Sequence, residues 1–264
     1  MADNIMPEIK EFFNLLDKKT KMAAMLAPSF PVDFSYPDIV GMLKRLGFKY
    51  VAEVARGATE TNRQLLALLK LHPDKKYIAN PCPIIVRLVR NKYHKLVPFL
   101  TPIDSPMAAT AKIVSKKYPN HKKVFIGPCI LKKLEAKEDY PKLDILVLTY
   151  RELKKIFEIK KIVPQKSDKS ASFDITGKQT RLYSVSGGLA QSSCLTKNLT
   201  DPEYDVISGP RLTEKTLQNF PTEINLKLLD ILSCEGGCIN GPGVVSKDSL
   251  SKRRQKVIAY WKKG

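Results

Sequence analysis

The chain has 264 residues, is 43% hydrophobic and 27% charged, and carries 13 Gly and 18 Pro, a composition that fits one large globular domain or two lobes and excludes disorder, collagen and coiled coil. No apolar run of about 18 residues or more is present, so a membrane span is excluded, and Asp3, Glu8 and Glu11 stand where an export signal needs a basic start, which makes the expected location cytoplasmic. The 45 Lys+Arg against 26 Asp+Glu give a net charge of +19, densest at 252–263, which describes a solvated basic surface or one that recruits an acidic partner.

An N-terminal helical extension at 1–21 precedes an apolar strand, Met22–Leu26. Helical spacing follows at 36–46, a strand at 50–55 and a helix at 64–71. A short strand at 76–79 breaks at Asn80-Pro81-Cys82-Pro83, after which helices are expected at 84–93 and 107–118. Strands at 124–126 and 144–148 lead to a charged, Ser/Lys-rich segment, 160–181, read as an excursion or hairpin. A short element at 183–188, a helix at 189–199, a strand at 205–208, a helix at 213–220 and a strand at 228–232 come next. A basic helix from Ser251 closes the chain and holds its single Trp, Trp261. Strand, crossover helix and strand in succession predict an α/β fold with two lobes of parallel β-sheet flanked by helices. A boundary near Asn120 would give a first lobe at 22–120 and a second at 121–264.

Five cysteines in a reducing compartment are poor disulfide material. Cys82, Cys129, Cys234 and Cys238 each stand at or just beyond the C-terminal end of a predicted strand, in Gly/Pro-rich turns, which is where open α/β sheets place their ligands. Four thiolates satisfy one 4Fe-4S cube. Gly236-Gly237, between the last two, would let backbone come close to such a cluster. Zinc competes, but four-cysteine zinc sites usually come as two C-x-x-C knuckles, whereas three of these loops are far apart in sequence. The third reading is four buried thiols with no metal. Cys194 lies on a predicted helix without a Gly/Pro turn and is expected to be a small core residue or spectator thiol. His72, His94 and His121 have no partner spacing and read as solvated. No zinc finger, RNP motif or helix-turn-helix is evident, which argues against nucleic acid.

With these loops in hand, the sequence resembles the catalytic domain of the iron-only (FeFe) hydrogenases from about Met22 to Trp261. The resemblance is carried by Ala27-Pro28-Ser29, the Cys82 loop with its Ile-Val-Arg-Leu-Val helix, Ile103-Asp104-Ser105-Pro106-Met107, Phe125-Ile126-Gly127-Pro128-Cys129, Lys132-Lys133-Leu134-Glu135-Ala136, Ser186-Gly187-Gly188 and the 234–242 loop. It implies that Cys82, Cys129, Cys234 and Cys238 hold the 4Fe-4S part of an H-cluster between the lobes, and that Cys238 also bridges to a diiron subcluster with CO, cyanide and a bridging dithiolate. It implies that Lys132 donates to one cyanide, a charge-assisted hydrogen bond. Pro28 and Ser29 would contact the other cyanide, and Ser105 would lie on the proton path.

The implied activity is a ferredoxin-linked oxidoreductase of anaerobic hydrogen metabolism, interconverting protons, electrons and dihydrogen. Its implied partners are an acidic ferredoxin or flavodoxin and the hydrogenase maturases. No ferredoxin-like cysteine motif precedes Met22, so electrons are expected directly from a soluble carrier; no PAS or kinase-like segment follows Trp261, so a sensory role would need a separate protein. The sequence also departs from the pattern. Pro81 stands where active members usually carry a proton-relaying cysteine, Gly127 and Leu232 stand where methionines are usual, and Gln64 and Leu68 stand where acidic residues are expected. These departures keep two alternatives in play: a hydrogen sensor with slow turnover, and a non-catalytic 4Fe-4S protein in electron transfer or iron-sulfur assembly.

Overall fold

The structure, a computed structural model, describes residues 6–197 and 199–263; residues 1–5, with Asp3, together with Asn198 of the predicted 189–199 helix and Gly264, lie outside the described residues. In chain order the elements are α1 (Pro7–Asp17), β1 (Met22–Leu26), α2 (Asp38–Arg45), β2 (Phe48–Glu53), α3 (Ala55–Leu71), β3 (Tyr77–Ile78), α4 (Pro83–Lys92), α5 (Pro106–Lys117), β4 (Lys122–Gly127), α6 (Lys132–Leu134), β5 (Ile145–Thr149), α7 (Tyr150–Ile159), α8 (Gly188–Ser193), β6 (Tyr204–Ser208), α9 (Pro210–Asn219), β7 (Leu228–Leu232) and α10 (Leu250–Lys262).

Every pairing among these strands is parallel. One sheet has the order β2-β1-β4-β5 and the other β3-β7-β6. Every residue of β1 and of β7 is buried. That matches their nearly continuous apolar sequences, since a parallel strand covered by helices on both faces has no solvent side to leave polar.

Each sheet is assembled from both sides of residue 120: β4 and β5 continue the sheet begun by β1 and β2, and β3 pairs with β7. A boundary there therefore cuts both sheets. A long crossover can carry a strand to either sheet, so the rhythm of strands along the sequence does not reveal their partners.

The 160–181 segment is an excursion without strands rather than a hairpin. Its Asp168 takes a two-pronged bond from Arg45, at 3.1 and 2.7 Å, and Asp174 accepts from the Val51 N–H at 2.9 Å. An isolated bridge joins Ile175 to Ala52, so the segment covers edge strand β2 and removes an exposed sheet edge. Glu53, at the end of β2, accepts from Arg181 at 2.8 Å and from the Tyr260 hydroxyl, which anchors the basic helix α10 to the core. Among the described residues no helix is long and apolar enough to cross a membrane.

Candidate metal centre

The chain leaves the C-terminal ends of strands from both sheets toward one place. Pro28-Ser29 follows β1, Pro81-Cys82 follows β3, Cys129 follows β4, and Cys234 and Cys238 follow β7. Between them lies a cavity of about 60 Å³ lined by Pro28, Ser29, Pro81, Cys129, Lys132 and Cys238, among others, with mostly apolar neighbours such as Met107, Phe125 and Leu232. This is the position where open parallel sheets present ligand sites.

The four thiols act on one another. Burial pushes Cys129 up to about 12, and the Cys82 and Cys234 thiols add to the rise while the Lys132 ammonium opposes it. Cys234 is pushed up to about 11 by burial and then by Cys82. Cys238 is raised well above the ordinary thiol range by burial, with Cys82, Cys129 and Cys234 adding to it. Thiols raised in this way keep their protons until a metal displaces them, so metal uptake here releases protons. Among the described residues no group of three or more His, Cys, Asp or Glu is arranged to hold a single metal ion. Cys129 and Cys238 line the cavity, and Cys82 and Cys234 lie near enough to act on them, a set of four soft sulfur donors of the kind that fits an iron-sulfur cluster.

Lys132 is buried at the cavity wall. Its ammonium donates to Glu135 Oε2 at 2.5 Å and to the Pro81 carbonyl at 3.2 Å. A lysine has three N–H donors, so one remains for a cavity ligand. Glu135 also accepts from the Ser105 hydroxyl, so Ser105, Glu135 and Lys132 form one buried chain that ends beside Pro81. Ser105 also caps α5, accepting from the Ala108 N–H at 3.3 Å. Glu135 was not singled out in the sequence, although its spacing of three from Lys132 is the signal of a helical ion pair.

Ser29 is fully buried, and its hydroxyl lies 2.6 Å from the hydroxyl of Tyr150, which also donates to the Ala27 carbonyl at 3.3 Å. Gly236 and Gly237 also meet a constraint from the chain itself. Both have positive φ, 73° and 99°. A Cβ on Gly237 would stand 2.7 Å from the Ser184 carbonyl, and one on Gly236 would meet Leu250. The pair therefore seats the cysteine loop against 184–186 and α10.

The departures have local explanations. A Cβ at Gly127 would lie 2.5 Å from the Phe125 ring, which fills the space that a longer side chain at 127 would need. Leu232 lines the cavity directly. Helix α3 starts at Ala55, well before the predicted 64, and brings Glu60 into reach of Gln64, which also bonds Asp104. Acidic groups are therefore present beside Gln64 after all, one from the unpredicted part of the helix and one from a distant loop. Cys194 is exposed at the C-terminal end of α8, not in the core, and does not line the cavity. His94 is exposed, and His121 packs against the Tyr50 and Tyr118 rings.

The family model for the C-terminal domain of the iron only hydrogenase large subunit matches residues 20–242. Solved structures of FeFe-hydrogenase HydA1 from Chlamydomonas reinhardtii are similar in fold: a variant superimposes with a TM-score of 0.69 at 18% identity over 96% of this chain and 88% of that one. A structure described as stepwise H-cluster assembly in HydA(deltaEFG) gives 0.65 at 17% identity over the same shares. A curated relative, the probable cytosolic Fe-S cluster assembly factor oxy-4 of Caenorhabditis elegans, is 22% identical over 83% of this chain. The match spans 60% of that relative's length.

Proposed function

Because the chain belongs to the family of C-terminal domains of iron only hydrogenases, we propose that it binds a 4Fe-4S cluster on Cys82, Cys129, Cys234 and Cys238 and activates dihydrogen at a diiron subcluster in the adjoining cavity. The observation that carries this reading is Lys132: a buried ammonium held by Glu135 and the Pro81 carbonyl, with one donor left, on the wall of a cavity that Cys238 also lines. A buried charge is costly unless it is paired, and an ammonium kept at a cavity wall favours an anionic ligand there.

When bound, the cofactor would supply the redox chemistry of protons and dihydrogen. The chain's own residues would do the rest. The four cysteines would hold the cube, and Cys238 is the one of the last pair that lines the cavity. Lys132, with its remaining donor, would hold an anionic ligand of the cofactor, and Ser29, fixed by Tyr150, would offer a second contact. The apolar walls exclude water, which strengthens each of these hydrogen bonds. Pro81 offers no side-chain proton, so proton delivery falls to the Ser105–Glu135–Lys132 chain and turnover is slow. Electrons would come from an acidic carrier of the ferredoxin or flavodoxin kind, steered by the basic surface; carrier-linked rates should fall between 0.1 and 1 M salt, as the Debye length drops from about 10 to about 3 Å.

A second reading, a cluster-only protein in electron transfer or iron-sulfur assembly, is favoured by the oxy-4 relative and by Pro81. Infrared bands of metal-bound CO and cyanide in protein produced with the maturases separate the two: bands support the first reading, and a full 4Fe-4S complement without bands supports the second.

A further inference from the structure

The segment after the last candidate ligand, 239–246, is held by two charged side chains from elsewhere in the chain. Arg253 of α10 donates through Nη1 to the Asn240 side-chain oxygen at 2.7 Å and to the Ile239 carbonyl at 3.4 Å, and through Nη2 to the Ser246 carbonyl at 2.6 Å. From the other side Asp33, just past the Pro28-Ser29 turn, accepts from the backbone N–H groups of Val245 at 3.0 Å and Ser246 at 2.7 Å, and from Lys154 at 3.1 Å. Ser246 is therefore gripped through both its N–H and its carbonyl.

The Asp33 side chain is fully buried, and a buried carboxylate is costly unless donors meet it, so its bonds to the loop are charge-assisted. The planar fork of a guanidinium can reach acceptors at 240 and 246 together, which the single ammonium of a lysine cannot. The same segment is tied to the Cys129 loop: the Gly243 N–H donates to the Pro128 carbonyl at 2.7 Å, and a Cβ on Gly241 would stand 2.6 Å from that carbonyl. Val245, Ser246 and Arg253 lie beyond the residues 20–242 that the family model matches, so the match itself does not account for them.

We propose that Asp33 and Arg253 form a clasp that positions Cys238 as a ligand and slows loss of the bound cluster. This rests on the reading that the four cysteines hold a 4Fe-4S cluster. The clasp keeps 239–246 against the Cys129 loop, so that Cys129 and Cys238 stay at one cavity. A cluster is released when a ligand leaves it, and Cys238 can withdraw only as far as the loop that follows it moves. Moving that loop means breaking the bonds to Asp33 and Arg253. Both act through the loop and are positioning residues. Helix α10 has a separate anchor in the bond from Tyr260 to Glu53, which does not involve the loop.

Anaerobically reconstituted protein tests this through the rate at which iron passes to an excess of a ferrous chelator, with the electron paramagnetic resonance of the dithionite-reduced cluster recorded alongside. The variants are Arg253→Met, which keeps the apolar stem without the bonds, Arg253→Lys and Asp33→Asn; Tyr260→Phe is the control, since it removes the other anchor of α10 and leaves the clasp intact. Losing charge-assisted bonds of this kind makes opening about tenfold easier, so Arg253→Met should release iron about tenfold faster than the parent, from equal initial iron content and with shifted g-values. Arg253→Lys should fall between the two, and Tyr260→Phe should match the parent. If Arg253→Met does not load iron, Arg253→Lys and Asp33→Asn decide. Superimposable rates and resonances in the clasp variants and the parent, or equal acceleration by Tyr260→Phe, would overturn the clasp and mean that α10 acts by packing alone. A parent protein that takes up no cluster would overturn the four-cysteine reading itself, and the clasp with it.

Discussion

The ammonium of Lys132 stands 2.5 Å from Glu135, with both side chains buried beside Pro81. The pair links the cavity wall to Ser105, whose hydroxyl donates to the same carboxylate. It places a paired positive charge at the cavity wall beside Pro81.

Removing one member of a buried pair strands the other charge, at a cost of about 3 kcal/mol or more. Glu135→Gln should therefore lower the denaturant midpoint of the cluster-loaded protein markedly. The double variant Lys132→Met/Glu135→Met, in which no charge is stranded, should recover most of the loss. Equal destabilisation by the single and double variants would show that the pair is not coupled.

Anaerobic reconstitution should load close to one 4Fe-4S cluster per chain. Cys129→Ser should reduce the iron content, because Cys129 lines the cavity and interacts with Cys82 and Cys234. Cys194→Ser should leave it unchanged, because that residue is exposed at the end of α8. Loss of the cluster in the Cys194 variant would remove the four-cysteine assignment.

Pro81→Cys would place a thiol of unperturbed pKa about 8.5 at the cavity. General acid-base relays contribute about 10²-fold or more, so matured Pro81→Cys should evolve dihydrogen at least tenfold faster than the parent. The Pro81 carbonyl that accepts from Lys132 is backbone and is retained in the variant. Intact infrared bands with no gain in rate would show that protons already travel efficiently by Ser105 and Glu135.

Asp230 is pushed up to about 7 by burial, with only the Ala190 N–H opposing, and the Tyr183 phenol is the ionisable neighbour it acts on. Its folded pKa lies above the unfolded value, so the folded chain holds a proton that the unfolded chain releases. The stabilisation is complete below about pH 4 and is lost as pH rises through 7, by about 4 kcal/mol at most. Urea midpoints of the parent should fall between pH 5 and 8 relative to Asp230→Asn. Parallel curves for the two proteins would contradict the burial of a titrating carboxyl there.

The convergence of the four turn cysteines on one end of the sheets was legible because such turns announce themselves locally. A cysteine in a Pro- or Gly-rich turn after an apolar run is a strand end with a donor, and all four such cysteines lie in loops that follow β3, β4 or β7. Glu60, Asp104 and Glu135 were harder to see as site residues. Their roles arise from pairing across the fold, as when Gln64 in α3 meets Asp104 or Glu135 meets Ser105. The sheet partners of β3 and β4 were hidden for the same reason: apolar strands buried on both faces look alike whichever sheet they join. Asp33 and Arg253 stand out only in three dimensions, because a clasp between distant segments has no sequence signature.

Isotope exchange tests the central claim most directly, since it needs no electron carrier and no choice of direction. Protein matured with its diiron subcluster and held under dihydrogen in heavy water should release HD, detected by mass spectrometry, at a rate that falls sharply in Lys132→Met and vanishes in Cys238→Ser. A preparation with a full 4Fe-4S complement and clear CO and cyanide bands that forms no HD above the buffer rate would contradict dihydrogen activation by this chain.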